Sequence, residues 1–247
     1  MAENLPDFSP ASAHYGPDVW RGHQVRRDIP TLSSGHSRLD RQLPGRGWPL
    51  GALTELLSET PGAGEFSLLL PALASVTAQG RWLMLLDPPW VPYPPAMHGH
   101  GVALERVMLI RTRSSEESLW ACEQALRGVR GGAVLAWHDD PGFARLRRLQ
   151  LAAKAGNKAA FLFRPMTATR QASPAALRLQ VKAHHAGIRV SILKCRGARS
   201  NEAINIRRPQ QLPGYAALSG PVPENTPPLP ESVPGPAKEH RAGHPTH

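Results

Sequence analysis

At 247 residues with 41% hydrophobic content, the chain can bury a sizeable core in one domain with tails to spare. Its 29 Lys and Arg against 19 Asp and Glu leave a formal charge of +10, which favours acidic partners such as nucleic acid but equally fits a plain basic surface. Cys122 and Cys195 lie far apart with no metal or redox spacing, which excludes a disulfide framework and suits a reducing cytosol.

No apolar run approaches the roughly 20 residues that span a bilayer. The first residues carry Glu3 and Asp7 and lack the apolar stretch of a secretory signal, so a soluble, cytoplasmic protein without membrane contact is expected. Residues 1–28 are polar and proline-containing and read as a flexible leader. Within them Val19-Trp20-Arg21-Gly22 could dock on its own domain or on a partner.

From residue 29 the pattern becomes that of a folded domain spanning 29–208. Leu39 and Leu43 share a helical face within 36–43, and Pro44-Gly45-Arg46-Gly47 ends that helix. A short apolar strand at 53–57 leads through a glycine-containing loop to a helix over 65–77. The continuous run at 81–86 predicts a strand buried on both faces. Residues 87–95 hold so many prolines that a stiff exposed loop is expected. A strand at 107–111 precedes a helix over 114–127, where Ser114 and Glu117 have capping-box spacing. Strands at 132–137 and 159–163 flank a helix over 143–155, and a strand pair at 177–183 and 188–194 turns at His184-His185-Ala186-Gly187. Strands alternating with helices imply βαβ crossovers and an α/β fold: a mostly parallel central sheet covered on both sides, with an antiparallel hairpin at one edge. Residues 209–247 are proline-rich and poor in bulky apolar side chains, so disorder is expected.

The loop after the first long strand has the layout of a phosphate-binding P-loop without its chemistry. A working loop needs G-x-x-x-x-G-K-[ST]. Here Glu59 stands for the first glycine, Glu65 for the lysine and Phe66 for the hydroxyl residue. Gly64 keeps its place; Gly62 lies beside it, and Pro61 removes an amide donor. A carboxylate at about 4 Å from a phosphate charge is repelled by roughly 4 kcal/mol at an effective dielectric near 20. Glu65 at the helix N-terminus is instead favourably placed as an internal anion. No cofactor is expected, and no catalysis. The strand at 132–137 ends in Ala136-Trp137 without a magnesium-holding carboxylate. Asp139-Asp140 come after it and would bind a metal or cap the next helix.

Leu32-Ser33-Ser34-Gly35-His36-Ser37-Arg38-Leu39-Asp40 looks like the approach to the P-loop of the RecA recombinase core. Gly47-Trp48-Pro49-Leu50-Gly51-Ala52-Leu53-Thr54-Glu55-Leu56-Leu57, with the upstream Val19-Trp20-Arg21-Gly22, is especially similar to the ImuA family of RecA/SulA-like proteins. That resemblance implies a RecA-like three-layer core with a degenerate P-loop. Recombinase activity does not carry over, since Pro89 stands where RecA proteins place a catalytic glutamate and Arg164-Pro165 where they place a sensor glutamine.

The resemblance implies a non-catalytic accessory scaffold of SOS-induced translesion DNA synthesis. Its implied partners are an ImuB-like Y-family protein, an error-prone replicative-type DNA polymerase and RecA, with at most weak DNA contact. The alternative is a SulA-like cell-division inhibitor, because SulA shares the degenerate RecA-like form and binds the tubulin-like division protein. The candidate DNA or partner patch comprises Arg145, Arg147, Arg148 and Lys154 off the core face of their helix, with Arg164 and Arg170 in the loop after the next strand. A solvated charged surface is the other reading of the same residues. The core face itself is expected to be Phe143, Leu146 and Leu149. His98 and His100, like His184 and His185, lack further ligands at metal spacing and read as loop and turn residues.

Overall fold

The computed structural model describes residues 30–128, 132–195 and 203–207. The expected leader at 1–28 and tail at 209–247 lie outside the described residues. Thr31–Leu32 (β1) pairs antiparallel with Trp48–Pro49 (β2). Between them the helix expected over 36–43 contracts to Ser37–Asp40 (α1), followed by a 3-10 turn at Pro44–Arg46. Asp40 explains the short helix: its carboxylate accepts from the Ser33 hydroxyl at 2.8 Å and the Ser34 amide at 2.9 Å, folding the approach segment back over α1. Leu39 and Leu43 both point into the core.

The main sheet has eight strands. In chain order they are Ala52–Ser58 (β3), Leu83–Leu86 (β4), Val107–Ile110 (β5), Ala133–Trp137 (β6), Ala159–Pro165 (β7), Leu177–His184 (β8), Gly187–Cys195 (β9) and Ile204–Arg207 (β10). Their spatial order is β10-β9-β8-β3-β7-β6-β4-β5, with β3 parallel to both β7 and β8. Among the described residues of this sheet only β8–β9 and β9–β10 run antiparallel, which gives the expected mostly parallel α/β sheet. The hairpin does not form the edge, however. β10 covers β9 and takes that place; with four residues it is too short to announce itself by alternation.

The helices are Glu65–Ala78 (α2), Pro94–Gly99 (α3), Ser115–Arg127 (α4) and Phe143–Gly156 (α5). Alternation along the strands sorts the core to two faces. Leu135, Phe161 and Phe163 cluster with α2 residues such as Leu69 and Leu73; Val134, Ala160 and Leu162 cluster with Leu119 and Leu126 of α4 and Leu146 and Leu149 of α5. The proline-rich segment is not loop throughout. Pro94 and Pro95 open α3, where a missing N–H costs nothing because the first turn has no acceptor for it. Ser114 caps the helix as expected, its Oγ accepting the Glu117 amide at 3.1 Å, while Glu117 Oε2 reaches back one residue further, to the Arg113 amide at 2.9 Å. Phe143, on the first turn of α5, is 50% exposed and does not join Leu146 and Leu149 in the core.

Two close approaches fix α4 against α5 and the sheet. A Cβ on Gly156 would meet the Leu126 carbonyl oxygen at 1.9 Å, so no larger residue fits there. The buried Lys158 donates its Nζ to the Ala125 carbonyl at the end of α4. Burial pushes its pKa below the ordinary lysine value. Cys122 lies in the same layer, where burial and then Glu123 push the thiol up to about 12, a core side chain and not a nucleophile.

Candidate functional site

The carboxyl ends of β3, β4, β6 and β7 open onto a cleft of about 570 Å³. This is where open α/β sheets place their ligands. Its β3 side is the loop 59–64 and the start of α2. Gly64 caps α2 with φ +108, and a Cβ there would meet Ile188 Cγ2 at 2.3 Å, so both backbone and packing require glycine. Glu65 follows, 4% exposed. Its Oε1 accepts the Gly62 amide at 2.8 Å and the Ser58 hydroxyl at 3.4 Å, while Oε2 is buried without a partner. The Gly62 amide of this loop is therefore satisfied by the chain's own carboxylate. Glu59 turns outward to Lys182 of β8 at 2.6 Å, and Phe66 packs on the core.

The β7 side rests on a buried ion network. Glu55 in the middle of β3 accepts from Arg164 Nη1 at 3.2 Å and Arg178 Nε at 2.6 Å, with the Glu55 and Arg164 side chains both 0% exposed. Ser173 donates to the same carboxylate at 2.8 Å. Arg164 also donates to the Asp139 carbonyl at 3.3 and 3.1 Å and to Gln171. Arg178 donates to the carbonyls of Ala168 at 2.6 Å and Gln171 at 3.3 Å. The segment after β7, with its 3-10 turn Met166–Arg170, is thereby pinned to the sheet. Arg164 is thus a structural cation inside the fold and not a surface contact; Arg170 stays exposed.

The back wall joins β4, α4 and β6. His138 Nε2 lies 3.3 Å from Ser118 Oγ. Asp87, at the end of β4, accepts from the Thr112 amide at 2.8 Å and its hydroxyl at 2.6 Å. Burial alone would raise the Asp87 carboxyl, but hydrogen bonds from Ser118 and Thr112 together hold it below the ordinary value. Trp137 stacks on Phe163 with centroids 4.3 Å apart and planes within 4°. Asp140 accepts the Gly142 amide at 3.3 Å, but the residue capping α5 is Gly142 itself.

Burial lowers the pKa of His138 from 6.5 and outweighs the pull of Asp87 and Asp139 in the other direction; Arg164 adds to the lowering. His36 is lowered as well, chiefly by burial. The unfolded chain therefore takes up protons near pH 6.5 that the folded chain refuses, so this contribution to stability is full above that pH and lost as pH falls toward the folded pKa. The urea midpoint is expected to drop between about pH 7 and 5, and His138→Gln to flatten part of that drop. A midpoint that is level across this range in the parent chain contradicts the assignment.

The helical arginines do not form one positive patch. Arg145 pairs with Glu116 at 2.8 Å and Arg148 with Glu123 at 2.6 Å, so both bridge α5 to α4. Arg147 and Lys154 are exposed. Among the described residues no group of three or more His, Cys, Asp or Glu is placed to hold a metal ion. His184 and His185 lie against each other in the β8–β9 turn, with ring centroids 3.9 Å apart and planes tilted by 39°. No helix among the described residues is long and apolar enough to cross a membrane. Sequence reasoning missed Glu55, Arg178, His138 and Trp137. The available signal was a glutamate inside an otherwise apolar strand, which demands a buried partner.

The family model of the cell division inhibitor SulA matches residues 51–160, the stretch from β3 to the start of β7 that walls the cleft. A cell division inhibitor SulA of Yersinia enterocolitica serotype O:8 / biotype 1B (strain NCTC 13174 / 8081) is 28% identical over 180 residues, covering 72% of this chain and 97% of the relative. That of Yersinia pestis (strain Pestoides F) is 30% identical over 117 residues, 47% of this chain and 70% of the relative. That of Edwardsiella piscicida is 33% identical over 98 residues, 40% of this chain and 58% of the relative. These relatives overturn the expected partner set of ImuB-like protein, error-prone polymerase and RecA, because the proteins that the chain matches are division inhibitors. On the match to these relatives, the chain belongs to the SulA family.

Proposed function

We propose that this protein is a cell-division inhibitor made in the DNA-damage response, acting by binding the tubulin-like division protein and not by catalysis. The observation that carries this reading is the similarity to proteins named cell division inhibitor SulA, which reaches over 97% of one relative's length. It ranks above the translesion scaffold that the resemblance to the ImuA family implies. We read the scaffold as RecA-like with a degenerate P-loop whose phosphate position is filled by Glu65. The hydrogen bond from Gly62 to Glu65 at 2.8 Å supports that reading, as does the row of carboxylates around the cleft. Overexpression in a rod-shaped bacterium is expected to give long, undivided filaments within a few generations. Cells that keep normal length at high levels of soluble protein argue against inhibition of division.

A further inference from the structure

We propose that the strand-end cleft is a receptor for a guanidinium group, the side chain of an arginine presented by a protein partner. The inference rests on the reading of this chain as a protein-binding inhibitor and specifies the chemistry that one of its surfaces accepts. Five carboxylates line the cleft, from Glu59, Glu65, Asp87, Asp139 and Asp140, of which Glu59 is paired with Lys182, and the arginine among its walls is Arg164. Arg164 is shared between the buried Glu55 at 3.2 Å and the rim carboxylate of Asp140 at 3.8 Å, so it offsets one rim charge and leaves those of Glu65, Asp87 and Asp139. The chain as a whole is strongly basic, at +10, which makes this local excess of negative charge a departure from the rest of the surface. Glu65 adds an independent sign of an absent donor: its Oε2 is buried with no hydrogen-bond partner, at the floor of the same cleft. A buried carboxylate oxygen without a donor is costly, and a cationic N–H group entering beside the loop 59–64 would satisfy it.

The aromatic wall decides between cations. Trp137 and Phe163 stack in parallel and both line the cleft, and Trp137 is partly exposed. A planar guanidinium can lie over such a face while its five donors reach carboxylates spread around it; a compact ammonium or metal ion cannot do both. A bound metal is further disfavoured because no group of three ligating side chains converges among the described residues. His138, whose burial keeps it neutral, adds no competing positive charge. A volume of about 570 Å³ accommodates an arginine side chain with part of its backbone.

The test is a titration of the full ¹⁵N-labelled chain with acetyl-Gly-Arg-Gly-amide, followed through the indole N–H resonance of Trp137, which the variant Trp137→Phe identifies. The arginine peptide is expected to shift that resonance saturably, and the isosteric citrulline peptide to bind at least about tenfold more weakly for want of charge. The double variant Asp139→Asn/Asp140→Asn is expected to weaken the arginine peptide at least about fivefold while still folding, because both side chains are exposed, the Asp140–Arg164 pair it removes is a long one at 3.8 Å, and Arg164 keeps Glu55 and the Asp139 carbonyl. Equal binding of the citrulline peptide, no shift with arginine, or a shift by inorganic triphosphate instead would each overturn the proposal. Filamentation on overexpression is read separately, so a failed peptide titration in a protein that still filaments cells removes the cleft assignment alone.

Discussion

Glu55→Ala is expected to destabilise the protein by about 3 to 5 kcal/mol, the usual cost of leaving a buried partner charge uncompensated. The alanine would leave two arginines facing each other across β3 with no anion between them, Arg164 at 0% exposure and Arg178 at 10%. Neither can reach water without tearing its hydrogen bonds to Asp139, Ala168 or Gln171. The segment carrying Met166–Arg170 would loosen with them, because Arg178 is what fastens its carbonyls to the sheet. Domains of this kind have only about 5 to 15 kcal/mol in hand, so a large share of the folded margin goes with one carboxylate. Glu55→Gln keeps the shape and some hydrogen bonding and should fall between parent and alanine. Urea unfolding followed by circular dichroism gives the comparison. An alanine variant within about 1 kcal/mol of the parent would show that the network is not a determinant of stability.

Trp48→Ala is the second large effect, at about 3 to 5 kcal/mol. The indole is fully buried in β2 and meets Phe161 of β7 edge to face at 5.4 Å. Its removal leaves a cavity lined by strand side chains that have no means of closing over it. The control is Trp48→Phe. The indole Nε1 has no hydrogen-bond partner, so phenylalanine loses area but also sheds a buried unsatisfied donor, whose cost is about 1 to 3 kcal/mol. The two effects oppose each other, and the phenylalanine variant is expected within about 1.5 kcal/mol of the parent. An equal loss for both variants in the same unfolding assay would mean that an unseen partner holds the indole nitrogen.

The parts of the fold that were legible in the sequence share one property: their signal is local. The apolar runs of β4, β6 and β7, the Leu/Ala face of α2 and the Ser114–Glu117 box each announce themselves within a dozen residues. The cleft was half legible. Glu59, Pro61 and Glu65 lie in the loop after β3 and line the cleft, and a known spacing draws attention to them in the sequence. The other half depends on partners far apart in the chain, with Glu55 meeting Arg164 across 109 positions and Arg178 across 123. No spacing rule reports such pairs. Arg164 therefore reads as a surface charge following a strand when it is in fact the centre of a buried network. The pairs of Arg145 and Arg148 are equally out of reach of a spacing rule, since the acids that hold them lie on another helix. The proline-rich segment shows the opposite error, in which a sound local rule was applied too widely: proline excludes a helix interior but not its first turn. The residues that suggested ImuA, around Gly47-Trp48-Pro49-Leu50, include the buried strand β2 and lie just before the stretch that the SulA family model matches.

Direct action on the division machinery is measured by sedimenting polymers of the tubulin-like division protein formed on GTP, with purified chain added and no ATP present. The pelleted polymer should fall progressively and approach its floor when the added chain nears equimolar, with both proteins left in the supernatant. Undiminished polymer at a several-fold excess of folded chain would contradict inhibition by binding, and a loss that appears only when ATP is supplied would contradict the non-catalytic reading of the cleft.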